Sequence, residues 1–351
     1  MKRYACLTLM LLIAVTMNTI AQSKAQTATA DAHSSQATTV AEPIQLETPT
    51  ATLYGTLERP QSTARVPLVL FISGSGPTDR DGNSPLLKGP NNSTKMLAEG
   101  LAAAGIASVR YDKRLVGESG KGMQLAAQKA GVKLREDDLR FESYVEDAIL
   151  WCQKLRADNR FTSLIVVGHS EGSLIGMVAA HRAGVDAFVS VAGSGRPAQQ
   201  ILLEQLKGQL PADLFRSTEE ILSQLAAGQL VGTVPPSLNF LFRPSVQPYM
   251  ISWLHYDPAK EIALLSSPVL IVQGTTDIQV SLQDARLLSG ANPSAKSVVV
   301  DGMNHVLKMV PSDHDKQVAS YSDPSLPVAP RLVAELIRFV KSVKEERPSD
   351  R

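Results

Sequence analysis

The chain has 351 residues, 44% hydrophobic and 20% charged, with a formal net charge of +1, enough apolar material for one large α/β domain or two small ones. Near-neutral charge with no basic stripe among aromatics removes the electrostatic case for nucleic acid. Of the two cysteines, Cys6 falls in the N-terminal leader, so no internal disulfide is expected beside Cys152.

Lys2 and Arg3 precede an apolar stretch, Tyr4 to Met17, with the charge and length of a secretory leader. Small residues follow at Thr19-Ile20-Ala21 and Ser23-Lys24-Ala25. The run is shorter than the ~20 residues that span a bilayer. Residues 1–25 are therefore expected to be a cleaved signal peptide that leaves no stable membrane anchor, and export to a periplasm or the medium is expected. Residues 26–43, rich in Ser, Thr, Ala and Gln, read as a disordered tether.

From residue 44 onward the chain reads as strands alternating with helices. Ile44 to Glu47 and Ala51 to Leu57 form a strand pair around Thr48-Pro49-Thr50. Val66 to Ser73 is a strand of near-continuous apolar character, as expected when both sheet faces are covered. Thr94 to Ala104 is a helix, Ala107 to Tyr111 a strand, Glu142 to Leu155 a helix and Leu164 to Val167 a strand. Further strands are Asp186 to Val191, Val269 to Gln273 and Ser297 to Val300, and Pro330 to Val343 closes as a helix with proline in its first turn. The fold class is α/β, a mostly parallel sheet of about eight strands flanked by helices. Residues 44–195 and 267–346 form its body; residues 196–266 show helical patterns only and sit where a cap over a pocket would lie. Phe240, Phe242 and Trp253 in that cap are candidate substrate-binding residues, with packing onto the body as the alternative.

Gly168-His169-Ser170-Glu171-Gly172 stands between the strand Leu164 to Val167 and an apolar helix, the setting of a nucleophile elbow. A serine hydroxyl is a weak nucleophile until it is exposed on a sharp turn and given a base. The two glycines permit that turn, and the N–H of Glu171 at a helix start faces a developing oxyanion. The base belongs downstream. His181 lies too far along the elbow helix and His255 falls in the cap. His305, in a loop after the last strand, is the candidate, with His314 as rival. Asp277, beyond the strand Val269 to Gln273, is the orienting acid, with Asp301 as competitor. The second oxyanion donor belongs to the loop Gly74 to Asn83: the N–H of Ser75 first and Gly76 second, Gly76 also being placed at the substrate. Asp79, Asp81 and Asn83 suggest a calcium loop, but Ser84 and Pro90 stand where glycine and the final acid belong, so no metal is expected. In Arg110-Tyr111-Asp112-Lys113-Arg114 an anion site competes with internal pairing of Asp112, the favoured reading. Glu171 either tunes the site or serves as a helix-start acid.

The loop Gly74 to Asn83, Arg110 to Arg114, the elbow and Gln273 to Asp277 together resemble the α/β-hydrolases over about residues 44–343. They are similar to exported bacterial members grouped with serine aminopeptidase-like or lysophospholipase-like hydrolases. The resemblance implies a Ser170–Asp277–His305 triad, the set also reached from loop positions. The elbow departs from the Gly-Gly-Ser-Trp-Gly of proline iminopeptidases. The expectation is a cofactor-free serine hydrolase acting on a small-molecule carboxylic ester through an acyl-enzyme. An aminopeptidase, with Glu204, Glu219 or Glu220 receiving an ammonium, and a non-catalytic binding protein are the alternatives.

Overall fold

A computed structural model describes residues 38–343. The expected signal peptide and most of the expected tether lie outside the described residues. The first strand, β1 (Thr39–Glu47), begins inside the stretch read as tether, and residues 39–43 pair antiparallel with 56–60 of β2 (Thr52–Pro60). Here a backbone ladder orders a segment with little apolar content. β1 is an edge strand, where Pro43 is tolerated.

The remaining elements in order are β3 (Val66–Ile72), α1 (Ser93–Ala103), β4 (Ala107–Tyr111), α2 (Gly117–Lys129), α3 (Phe141–Arg156), β5 (Phe161–His169), α4 (Glu171–Ala183) and β6 (Ala187–Val191). Five helices follow, α5 (Ala198–Leu206), α6 (Ala212–Ala226), α7 (Asn239–Phe242), α8 (Gln247–Leu254) and α9 (Pro258–Ala263). The chain then returns to β7 (Val269–Gly274), α10 (Leu282–Ala291), β8 (Lys296–Val300), α11 (His314–Ser320) and α12 (Pro330–Ser342). The eight strands form one sheet in the order β1-β2-β4-β3-β5-β6-β7-β8. β2 pairs antiparallel with β1 and β4; from β4 to β8 every pairing is parallel.

Strand side chains alternate between two cores, as a pleat with period two requires. Leu68, Leu70 and Ile72 of β3 join a cluster with α3, α4, α10 and the helices between β6 and β7. Val69 and Phe71 join a second cluster with α1 and α12. The parallel strands are thus apolar on both faces, which is why they read as continuous apolar runs. Asp284 ties α10 to the loop after β6: fully buried, it closes the capping box with Ser281 at the start of α10 and accepts two bonds from Arg196, each 2.9 Å. Cys152 lies buried on α3, where loss of water pushes its thiol pKa up to about 12. No described helix is long and apolar enough to cross a membrane.

Candidate active site

β5 delivers His169 to the carboxyl edge of the sheet, the chain turns at Ser170, and α4 starts at Glu171. Ser170 holds φ 56° and ψ −123°, a conformation costly for a residue with a side chain. Its N–H donates to the Val191 carbonyl at 3.0 Å and its carbonyl accepts from Ser173 at 2.9 Å, so the turn is fixed from both sides. Only glycine fits beside it. A Cβ on Gly168 would meet the Gly172 carbonyl oxygen at 2.2 Å, and one on Gly172 would meet that of Ile72 at 2.2 Å.

Three side chains far apart in sequence meet at this edge. Ser170 Oγ lies 3.2 Å from His305 Nε2, and His305 Nδ1 lies 2.9 and 3.1 Å from the Asp277 oxygens. An ionised carboxylate only accepts, so Nδ1 carries the proton and Nε2 is left to accept from the serine hydroxyl. Burial alone would raise the Asp277 pKa. The charge and hydrogen bond of His305, with the N–H groups of Val280 and Gln279, outweigh it and hold the carboxyl below its ordinary value. The rivals lie elsewhere: Asp301 is exposed and accepts from Thr275 Oγ1 at 2.9 Å, and His314 is exposed beside Asp315.

Two supporting residues were not foreseen. Gln273 Nε2 donates to Asp277 Oδ2 at 3.1 Å. His169 Nε2 lies 2.8 Å from the His305 carbonyl oxygen and, facing an acceptor, must donate to it. Desolvation, with His305 nearby, lowers the His169 pKa to about 4, so its ring is neutral near pH 7. Their signal in the sequence was adjacency alone: one precedes the serine, the other stands four residues before Asp277.

A cavity of about 40 Å³ opens beside Ser170 and His305. Ser75 lines it together with Ser73, Thr78, Leu87, Asn91 and Tyr321, half of the lining residues coming from the stretch between β3 and α1. Gly76 does not line it; with φ 71° it makes a turn in that loop instead. The three cap aromatics expected at the substrate also lie elsewhere. Phe242 is fully buried and Trp253 nearly so in the core shared with α3 and α4, and Phe240 packs against that core. Apolar side chains on short helices gain more from this shared core than from a small cavity that opens to solvent.

Aspartates 79 and 81 are used within the fold. Asp79 Oδ1 accepts from the N–H groups of Asp81 and Asn83 at 2.9 and 2.8 Å, and Asp81 pairs with Arg110 at 2.7 Å. The charged run after β4 is likewise paired. Asp112 meets Arg80 at 2.8 Å, Arg114 meets Asp147 at 2.6 Å, and Lys113 faces Glu171. Asp112 thus pairs internally as favoured, though its cation comes from the loop after β3. Among the described residues no group of three or more His, Cys, Asp or Glu could hold a metal ion.

The profile of the serine aminopeptidase S33 family matches residues 91–243. Est1E of Butyrivibrio proteoclasticus, solved with ferulic acid bound, superposes with a TM-score of 0.54 over 85% of this chain and 99% of its own, at 17% identity. The chain has the fold of the α/β-hydrolases. Esterase EstD of Thermotoga maritima is 29% identical over 259 residues, 73% of this chain and 58% of EstD, so the match spans little more than half of that relative. Proline iminopeptidase of Mycobacterium smegmatis superposes with a TM-score of 0.52 at 13% identity, over 86% of this chain and 98% of its own. An esterase and a peptidase fit this hydrolase fold about equally, so the overall shape does not choose between ester and amide.

Proposed function

We propose that this α/β-hydrolase is a serine esterase that cleaves short-acyl carboxylic esters of small molecules through an acyl-enzyme on Ser170. The reading is carried by the hydrogen-bonded series from Ser170 Oγ through His305 to Asp277 at the wall of the cavity. Ser170 Oγ attacks the ester carbonyl carbon as its proton passes to His305 Nε2. The oxyanion is received by the N–H groups of Ser75 and Glu171. Collapse expels the alcohol, which takes the proton from His305, and leaves an ester on Ser170. Water then attacks, giving its proton to His305, and the acid departs as Ser170 recovers a proton. Asp277 stabilises the imidazolium in both halves.

Short acyl groups are favoured by size. On the same measure a water needs roughly 10–15 Å³, so 40 Å³ holds a group of a few heavy atoms. Esters are favoured over aminoacyl amides because, among the described residues, no carboxylate lines the cavity to receive an ammonium. Glu219 and Glu220 are exposed on α6, and Glu204 pairs with Arg196. Export is part of the proposal, supported by the Lys2-Arg3 and Tyr4 to Met17 pattern.

Assaying p-nitrophenyl acetate beside alanine p-nitroanilide tests the reading. Turnover of the ester well above the anilide, with Ser170→Ala lowering kcat by about 10⁴-fold or more, is expected. Undiminished ester turnover in Ser170→Ala, or preference for the anilide, would overturn it.

A further inference from the structure

Lys113 is a buried charge outside the reacting groups. Its side chain is 2% exposed, just beyond β4, and it meets the Glu171 carboxylate, itself 1% exposed, at 3.7 Å. The ammonium donates to the Gly74 carbonyl oxygen at 2.5 Å and lies 5.1 Å from the centre of the Tyr144 ring. Tyr249 of α8 packs edge-on against Tyr144 at 5.8 Å, so the helices between β6 and β7 seal this pair from water. Burial pulls the Lys113 pKa down and pushes that of Glu171 up, while the attraction between them opposes both shifts. A buried ion pair is weak as a stabilising device, since apolar side chains of similar volume do as well or better.

The two polar partners of Lys113, the Gly74 carbonyl and the Glu171 carboxylate, have one thing in common. The Gly74 carbonyl and the Ser75 N–H belong to one peptide unit, which is planar and trans, so fixing the oxygen fixes the direction of the N–H. Gly74 also lies against the nucleophile: a Cβ there would stand 3.1 Å from Ser170 Cβ. Glu171 supplies the other N–H from the first residue of α4. One ammonium is therefore tied to both halves of the anion-receiving site.

We propose that Lys113 is a positioning residue, whose bonds to the Gly74 carbonyl and the Glu171 carboxylate aim the Ser75 and Glu171 N–H groups at the oxyanion. This rests on the ester-hydrolase reading and deepens it. Lys113 touches no substrate; it holds two donors in register, a site in which a displacement of about 1 Å can cost ~100-fold in rate.

The test compares the wild-type protein with Lys113→Met and with Lys113→Met/Glu171→Gln, using p-nitrophenyl acetate and a trifluoromethyl ketone that mimics the oxyanion. The single variant leaves a carboxylate buried without its cation and loses thermal stability; the double variant regains it. In both, kcat is expected to fall by about 10–100-fold with KM within about twofold, and ketone affinity to fall in step. A purely structural lysine would let kcat recover with stability, so a double variant at wild-type kcat overturns the proposal. A kcat loss without loss of ketone affinity does the same. If neither Lys113 variant folds, Glu171→Gln decides: a threefold to tenfold fall in kcat, by about the same estimate, supports the proposal and wild-type kcat overturns it. No ester turnover by the wild type would instead defeat the esterase reading itself.

Discussion

The loop between β3 and α1 and the helices between β6 and β7 divide the work in a way opposite to their composition. The helical stretch holds large aromatics, yet Phe242 and Trp253 lie in the core with α3 and α4. The loop is rich in Ser, Gly and Asn, yet it supplies half of the residues that line the cavity beside Ser170. Large apolar side chains find the site of deepest burial, and short polar ones are left to face the space where water and substrate meet. The helices act on the site from behind, by drying the Lys113–Glu171 pair, while the loop acts from the front.

Truncating each region separately tests that division. Phe242→Ala should cost about 3–5 kcal/mol of stability, the range for a fully buried phenylalanine, and leave the preference among acyl lengths unchanged. Chemical denaturation with an acyl-chain series from acetate to octanoate checks both halves. A changed profile would return the helices to the cavity wall.

His169 should make stability depend on acid. Its folded pKa of about 4 lies below the ordinary 6.5, so between those values the unfolded chain holds a proton that the folded protein lacks. Its contribution is intact above pH 6.5 and is lost as pH falls toward 4, by up to ~3 kcal/mol. His169→Gln keeps an N–H donor and removes the titration, so its stability curve over that window should be flatter than wild type. Equal slopes would show that the ring does not titrate there.

The smallest effect belongs to the loop. Leu87→Ala should widen the cavity and raise the butyrate-to-acetate ratio of kcat/KM by roughly tenfold, the lower end of the scale for a methylene in a pocket. A ratio that stays at the wild-type value would place the acyl group elsewhere.

The parallel strands and the convergence of Ser170, Asp277 and His305 were legible because each depends on local pattern. Runs such as Leu164-Ile165-Val166-Val167 mark buried strands, and the residues that meet follow strand ends, as open α/β sheets arrange them. α2 was not legible. It carries Gly117, Gly120 and Gly122, poor helix formers kept for close approach: a Cβ on Gly122 would stand 2.9 Å from the Tyr54 ring. The cavity wall was misread for a related reason. Hydropathy reports how much a segment seeks burial, but not whether the nearest shelter is a substrate pocket or the protein's own core. Lys113 gave no signal as a positioning group, because which carbonyl a lysine reaches is settled by the packing of β4 against β3.

In the proposed chemistry Ser170 carries the acyl group between the two half-reactions. Intact-mass and peptide-mass analysis after rapid acid quenching of the protein with p-nitrophenyl acetate tests it most directly. One acetyl group is expected on the peptide containing Ser170, absent in Ser170→Ala. Ester turnover with that peptide unmodified, or with the acetyl group on another residue, would contradict it.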